Sequence, residues 1–152
     1  MTITCKQRAF RIKVIQTDEE REAVYAIRLT VFVDEQKVPA AEELDSYDDA
    51  AIHFLAYSQE GAAIGTARLL DKGNEHGKVG RVAVLPAYRG KGAGGGLMYM
   101  VESTAVDMGM KHLELDAQLH AIPFYENLGY TGEGDIFLDA GIEHRKMRKL
   151  LI

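Results

Sequence analysis

Arg89-Gly90-Lys91-Gly92-Ala93-Gly94-Gly95-Gly96 sets five glycines and two basic side chains in eight residues, directly before the apolar helical pattern of Leu97, Met98, Val101, Ala105 and Met108. Glycine lets a backbone approach an anion with no Cβ in the way, and the unpaired N–H groups of a helix's first turn, with its dipole, point at that anion. The chemistry is therefore capture of a phosphate or pyrophosphate, with Arg89 and Lys91 adding positive charge. The lysine motif of nucleotide triphosphatases is excluded, because Gly90-Lys91 is followed by Gly92 and not by Ser or Thr. Read from Gly90, the letters also spell the dinucleotide fingerprint G-x-G-x-x-G, and Glu114 and Asp116 stand near the offset of a ribose-binding acid. Against that reading, five residues including Pro86 separate Val84 from Gly90, and about one further βα unit fits downstream. A glycine-rich turn without a ligand is the third alternative.

The elements that must position this loop follow from periodicity. Phe10 to Ile15 alternates apolar and charged residues, as a half-buried strand does. Thr17-Asp18-Glu19-Glu20 is a capping box opening a helix that carries Val24, Ile27, Val31 and Phe32 and ends near Glu35. Asp34 to Asp49 is acidic and contains Pro39, which predicts a loop with room for a short helix. Strands follow at 52–57 and 62–70, joined by a turn at Ser58-Gln59-Glu60-Gly61, and a polar turn over 71–77 leads into the strand Val79–Val84. Beyond the glycine loop come its helix, closed by Gly109, a buried strand over 111–117, a short helix over 122–128 and two last strands around Tyr130 and Lys146. Hairpins mixed with crossover helices predict a mixed sheet.

With 152 residues, 47% of them hydrophobic and 27% charged, the chain reads as one domain with one core. A net charge of −5 argues against nucleic acid as a partner. The single cysteine, Cys5, forms no intramolecular disulfide and reads as a bystander near a frayed terminus. The polar start Met1–Arg8 does not read as a signal peptide, and no apolar run is long enough to span a bilayer. The expectation is a soluble cytoplasmic protein with no membrane partner.

Read from Arg89, the loop is R-x-x-G-x-G, the coenzyme A signature of the GNAT superfamily of N-acetyltransferases, which this chain resembles. Gln118-Leu119-His120-Ala121-Ile122-Pro123-Phe124-Tyr125-Glu126-Asn127-Leu128-Gly129-Tyr130 is similar to the superfamily's N-x-x-A-x-x-x-Y-x-x-x-G-[FY] block, with Gln118 where asparagine is usual. The segments 28–36 and 137–147 resemble its ElaA/YjcF-like branch. The resemblance implies an α/β (α+β) GNAT fold over 1–152: a mixed, mostly antiparallel sheet of about six to seven strands, splayed at the cofactor site and flanked by about four helices.

It further implies transfer of an acetyl group from acetyl-CoA, as co-substrate, to a primary amine of a small molecule or peptide, in a ternary complex and without a metal. An acyl-CoA-binding sensor module is the alternative. The strands containing Val82 and Leu115 would part to admit the pantetheine arm, with Val82, Ala83 and Val84 beside it. Arg89, Gly90, Lys91, Gly92, Ala93, Gly94 and Gly95 would hold the pyrophosphate. Tyr125 would serve the leaving thiolate as an acid whose pKa roughly matches a thiol's, and Gln118 would orient the cofactor, orient Tyr125 or satisfy a strand end. For the base, Glu35 and His144 rank ahead of Asp45, His53 and His120, because both lie in the branch-like segments. The acidic stretch would form a rim attracting a cationic amine or be a solvated acidic loop, with Arg28 and Arg81 along the core edge and Arg81 available to pair with an acid of that rim. A homodimer is left open.

Overall fold

The computed structural model describes residues 2–5 and 10–151, the first segment as backbone alone. Met1, residues 6–9 and the side chain of Cys5, on which the readings of the polar start and the bystander cysteine bear, lie outside the described residues. Thr2–Cys5 is not frayed: it forms strand β1, antiparallel to β2 (Phe10–Val14), with Thr2 opposite Lys13 and Cys5 opposite Phe10.

The capping box at Thr17 is made as expected. Glu20 N–H donates to Thr17 Oγ1 at 3.1 Å, and Thr17 N–H donates to Glu20 Oε1 at 3.0 Å, which satisfies two otherwise orphaned donors at the start of α1 (Asp18–Arg28). The helix continues as a wider π-helical segment, Leu29–Glu35, which ends where Lys37 takes a left-handed φ of 64°. Short helices α2 (Ala40–Glu43) and a 3-10 turn (Ser46–Asp49) occupy the acidic stretch.

Strands β3 (Ile52–Tyr57), β4 (Ala63–Gly73) and β5 (His76–Val84) form a meander. The polar stretch expected as a seven-residue turn is mostly strand. Asn74 and Glu75, with φ of 55° and 60°, make a two-residue turn whose twist suits the flanking strands. Gly77 is required by packing, since a Cβ there would meet Met110 Sδ at 2.6 Å and Leu113 Cδ2 at 2.8 Å.

The chain then runs through α3 (Ala93–Asp107), β6 (His112–Gln118), α4 (Ile122–Asn127), β7 (Thr131–Asp139) and β8 (Ile142–Leu150). All eight strands join one sheet in the order β1-β2-β3-β4-β5-β6-β8-β7. This is the mixed, mostly antiparallel sheet expected, with β1 added at one edge. Among the described residues β5 and β6 are the one parallel pair. The main core lies on one face, where Leu97, Met98 and Val101 of α3 pack on Leu113, Leu115, Met147 and Phe54. On the other face Val24, Ile27 and Val31 cover Leu55 and Ala83.

Candidate active site

The parallel pairing of β5 with β6 stops at Val79 opposite Leu115, although β5 continues to Val84 and β6 to Gln118. The cause lies on the other side of β5. Thr66 pairs with Ala83 but Arg68 pairs with Gly80, so β5 carries one extra residue against β4. Arg81 sits in that bulge with φ of 53°. A bulge bends its strand and sharpens its twist, and here β5 leans away from β6. A cavity of about 1180 Å³ opens there, lined among others by Val82, Ala83, Val84, Leu115, Gln118 and Tyr125.

At the far end of β5, Pro86–Tyr88 makes a 3-10 turn and the glycine loop follows. Gly90 and Gly92 have φ of 74° and 96°, and Gly92 is the N-cap of α3. Among the described residues, no backbone N–H from Gly90 to Gly95 donates to the rest of the protein. Six consecutive donors, those of Gly90, Lys91, Gly92, Ala93, Gly94 and Gly95, thus surround the positive end of a fifteen-residue helix. Lys91 is exposed, with Nζ 3.4 Å from Ala87 O. Arg89 does not reach freely into solvent: its Nε donates to Val84 O at 2.8 Å, and Nη1 and Nη2 donate to Glu35 at 2.7 and 2.6 Å.

That bidentate pair weighs against Glu35 as the leading proton acceptor. The hydrogen bond from Arg89 and its charge hold the Glu35 carboxyl below the ordinary glutamate range, so this carboxylate is a poor base for an ammonium.

Tyr125, on α4, is buried and lines the cavity, edge-on to Phe124 at 5.0 Å and to Tyr130 at 5.9 Å between ring centres. Burial pushes its pKa up to about 12, which corrects the expected match with a thiol. Full transfer of its proton to an ordinary thiolate would run uphill by roughly 5 kcal/mol, so the phenol is suited to donating a hydrogen bond while keeping its proton. Gln118, last residue of β6, exchanges amide hydrogen bonds with Gln36: Nε2 of Gln118 donates at 2.8 Å and Nε2 of Gln36 returns one at 3.4 Å. His144 of β8 faces Gln118 across the strand pair and stacks on Phe137 at 5.9 Å. Its Nδ1 is 2.7 Å from Ile142 O. A carbonyl can only accept, so Nδ1 carries the hydrogen and Nε2 keeps a lone pair. His120 lies on the rim, exposed, and His144 is half-buried in the wall.

The Acetyltransferase (GNAT) domain family model matches residues 14–151. The chain belongs to the GNAT acetyltransferase family. It is 37% identical over 137 residues to the uncharacterized N-acetyltransferase YjcF of Bacillus subtilis, covering 90% of this chain and 96% of that one. Among solved structures it resembles an acyl-CoA N-acyltransferase from Pseudomonas aeruginosa, at 30% identity and a TM-score of 0.80 over 92% of this chain and 97% of the other. Escherichia coli ElaA aligns with a TM-score of 0.79 and 26% identity, over 98% and 99% of the two chains. As a GNAT protein the chain is an acyltransferase, and the fold implies an acyl-CoA co-substrate. Among the described residues, no group of three or more His, Cys, Asp or Glu is placed to hold a metal, and no helix is long and apolar enough to cross a membrane.

In this GNAT chain three acids of the acidic stretch, Glu43, Asp45 and Asp48, are tied into ion pairs. Arg28, fully buried, binds Glu43 through Nε at 2.7 Å and Asp48 through Nη1 at 2.8 Å. Arg68 binds Asp45 at 2.8 Å and Asp48 at 3.0 Å. Arg81 binds Glu43 at 2.9 Å and Asp45 at 3.2 Å, the pairing with the rim that was expected of it. Three guanidiniums thus neutralise three carboxylates and fasten the 40–49 segment to α1, β4 and β5, where it forms a wall of the cavity. Asp45, which lines the cavity, is ion-paired within that network. His53 lies beneath it, 1% exposed, with Nε2 2.9 Å from Asp48 O and its pKa lowered by burial. It is outside the cavity lining and has no route to an acceptor amine.

The cradle can be tested without disturbing the fold. A Cβ on Gly95 would meet nothing within 4 Å, and its φ is not in the left-handed region. Gly95→Leu is expected to weaken acetyl-CoA binding about tenfold by crowding the approach of phosphates to these N–H groups, with the melting temperature unchanged. Calorimetric titration checks this; equal affinity in the variant would remove the cradle from the account.

Proposed function

We propose that this GNAT chain transfers an acetyl group from acetyl-CoA to a primary amine by direct attack within a ternary complex. The observation that carries the proposal is the parting of β5 from β6 beyond Val79 and Leu115 into a cavity, with six uncommitted N–H groups at one end and the Tyr125 phenol in its wall. The amides of Gly90 to Gly95 receive the pyrophosphate, and the backbone of Val82 to Val84 lies alongside the pantetheine arm as a neighbouring strand would. A backbone N–H in that stretch polarises the thioester carbonyl as negative charge develops on its oxygen.

Attack by the amine forms the new C–N bond and breaks the C–S bond, and the proton that the nitrogen sheds on becoming an amide passes to the departing thiolate. Tyr125 donates a hydrogen bond to the departing sulfur. The ammonium form of the acceptor must first lose a proton, and His144 supports that step best, because its Nδ1–H is committed to Ile142 O and its Nε2 is left as an acceptor in the wall of the cavity. The acceptor is a small molecule or a peptide amine, whose remainder contacts Phe32, Tyr47 and Leu70 in the cavity wall.

One observation favours a sensor that binds acyl-CoA without efficient transfer: the amide of Gln118, in the position usually held by asparagine, is occupied by Gln36. Thiol release from acetyl-CoA across a panel of amines separates the two. Amine-dependent release, reduced in His144→Gln, supports the transferase; binding of acetyl-CoA with no release from any amine contradicts it.

A further inference from the structure

Glu35 and Gln36 are adjacent in sequence yet bond to opposite sides of the gap between β5 and β6. Glu35 holds both terminal nitrogens of Arg89, whose Nε is fixed to Val84 O, the last residue of β5. Gln36 exchanges two amide hydrogen bonds with Gln118, the last residue of β6. The two strands have no pairing with each other at this end.

The backbone explains how neighbours reach apart. The chain closes wide turns here, with Gln36 N–H donating to Val31 O at 3.1 Å, five residues back. Val38 N–H then donates to Phe32 O at 2.8 Å around Lys37, which holds φ of 64°. A lysine in that conformation carries backbone strain, and π-turns recur at functional positions. Both features make sense if the dipeptide must face two strands at once.

We propose that Glu35-Gln36 is a clasp across the mouth of the β5/β6 gap, setting its width for the thioester arm of the acyl-CoA. Both are positioning residues, and neither moves a proton. The inference rests on the reading of this gap as the acyl-CoA site. It assigns Glu35 a role in seating the cofactor through Arg89, and it gives Gln118 the task of anchoring the clasp on β6.

The test is steady-state kinetics on the full chain with Gln36→Ala, Gln118→Ala, their double variant, Glu35→Gln and Glu35→Ala. Either alanine at the amide pair is expected to raise KM for acetyl-CoA about tenfold with the acceptor KM unchanged, and the double variant to match the singles, because one interaction is removed in each. Glu35→Gln, which keeps a hydrogen bond to Arg89, is expected to retain more activity than Glu35→Ala, with the shape of the pH profile unaltered in both. Loss of a limb of that profile in Glu35→Gln, or variants that match the wild type in KM for acetyl-CoA, would overturn the clasp. Failure of the wild type itself to bind acetyl-CoA by calorimetry would instead overturn the site reading beneath it. Thermal melts that coincide with the wild type confirm that the variants fold.

Discussion

Tyr125→Phe is expected to lower kcat about 100-fold while leaving KM for acetyl-CoA within about twofold, the pattern of an interaction made chiefly in the transition state. The substitution removes one oxygen and keeps the ring, so the edge-on contacts with Phe124 and Tyr130 survive and packing alone predicts little change. Because burial places the phenol's pKa near 12, it stays protonated through the neutral range and contributes no limb to the pH profile there. The role proposed for it is a hydrogen bond to the sulfur as charge builds. An unaltered kcat in the variant would return Tyr125 to a packing role.

Arg28→Met is expected to destabilise the fold by about 3 kcal/mol, at the lower end of what breaking a buried ion pair costs, because Arg81 still faces Glu43 and Arg68 still faces Asp48. Arg28 is fully buried and makes contacts to two carboxylates, the Glu43 carbonyl and the ring of Tyr25. Removing it leaves Glu43 and Asp48 with one guanidinium each and the buried network one positive charge short, which costs more than the pair contributes when whole. The double variant Arg28→Met/Asp48→Leu, which deletes the stranded charge, is expected to recover part of the loss. Urea midpoints for both proteins check this, and a loss under about 1 kcal/mol in the single variant would contradict it.

Within this network Asp48 carries an acid dependence whose sign follows from its shift, while burial moves the Glu43 carboxyl the opposite way. Burial alone would raise the pKa of Asp48, but the hydrogen bonds and charges of Arg28 and Arg68 outweigh it and lower the value. A depressed carboxylate stabilises the fold above its ordinary pKa of about 3.9 and loses that contribution as pH falls through the folded value. In Arg28→Met the loss begins at higher pH.

What could be read from the sequence was local. The capping box at Thr17 and the glycine loop before Leu97 each lie within a few residues and have a physical signature that does not depend on distant neighbours, whereas the tyrosine block around Tyr125 was marked by the resemblance. The bulge at Arg81 had no such signature: glycine usually marks a left-handed residue, and here arginine takes φ of 53° because Glu43 and Asp45 anchor its side chain. The pairing of Glu35 with Arg89 spans 54 positions and that of Gln36 with Gln118 spans 82, so the resemblance marked Glu35 while its chemistry waited for the fold. Composition could not show which acids of the 34–49 stretch are paired, for the same reason. The arginines that bind them come from α1, β4 and β5. Strand β1, Thr2–Cys5, was missed because four residues are too short a run to show a period.

The central claim is that acyl-CoA lies in the parting of β5 and β6 with its phosphates on the glycine loop. Amide chemical-shift mapping of the isotopically labelled protein during titration with acetyl-CoA tests it most directly. The account predicts the largest shifts at Gly90 to Gly95 and at Val82 to Val84, with smaller ones at Gln36, Gln118 and Tyr125. Shifts confined to another surface, or none at saturating acetyl-CoA, would contradict it.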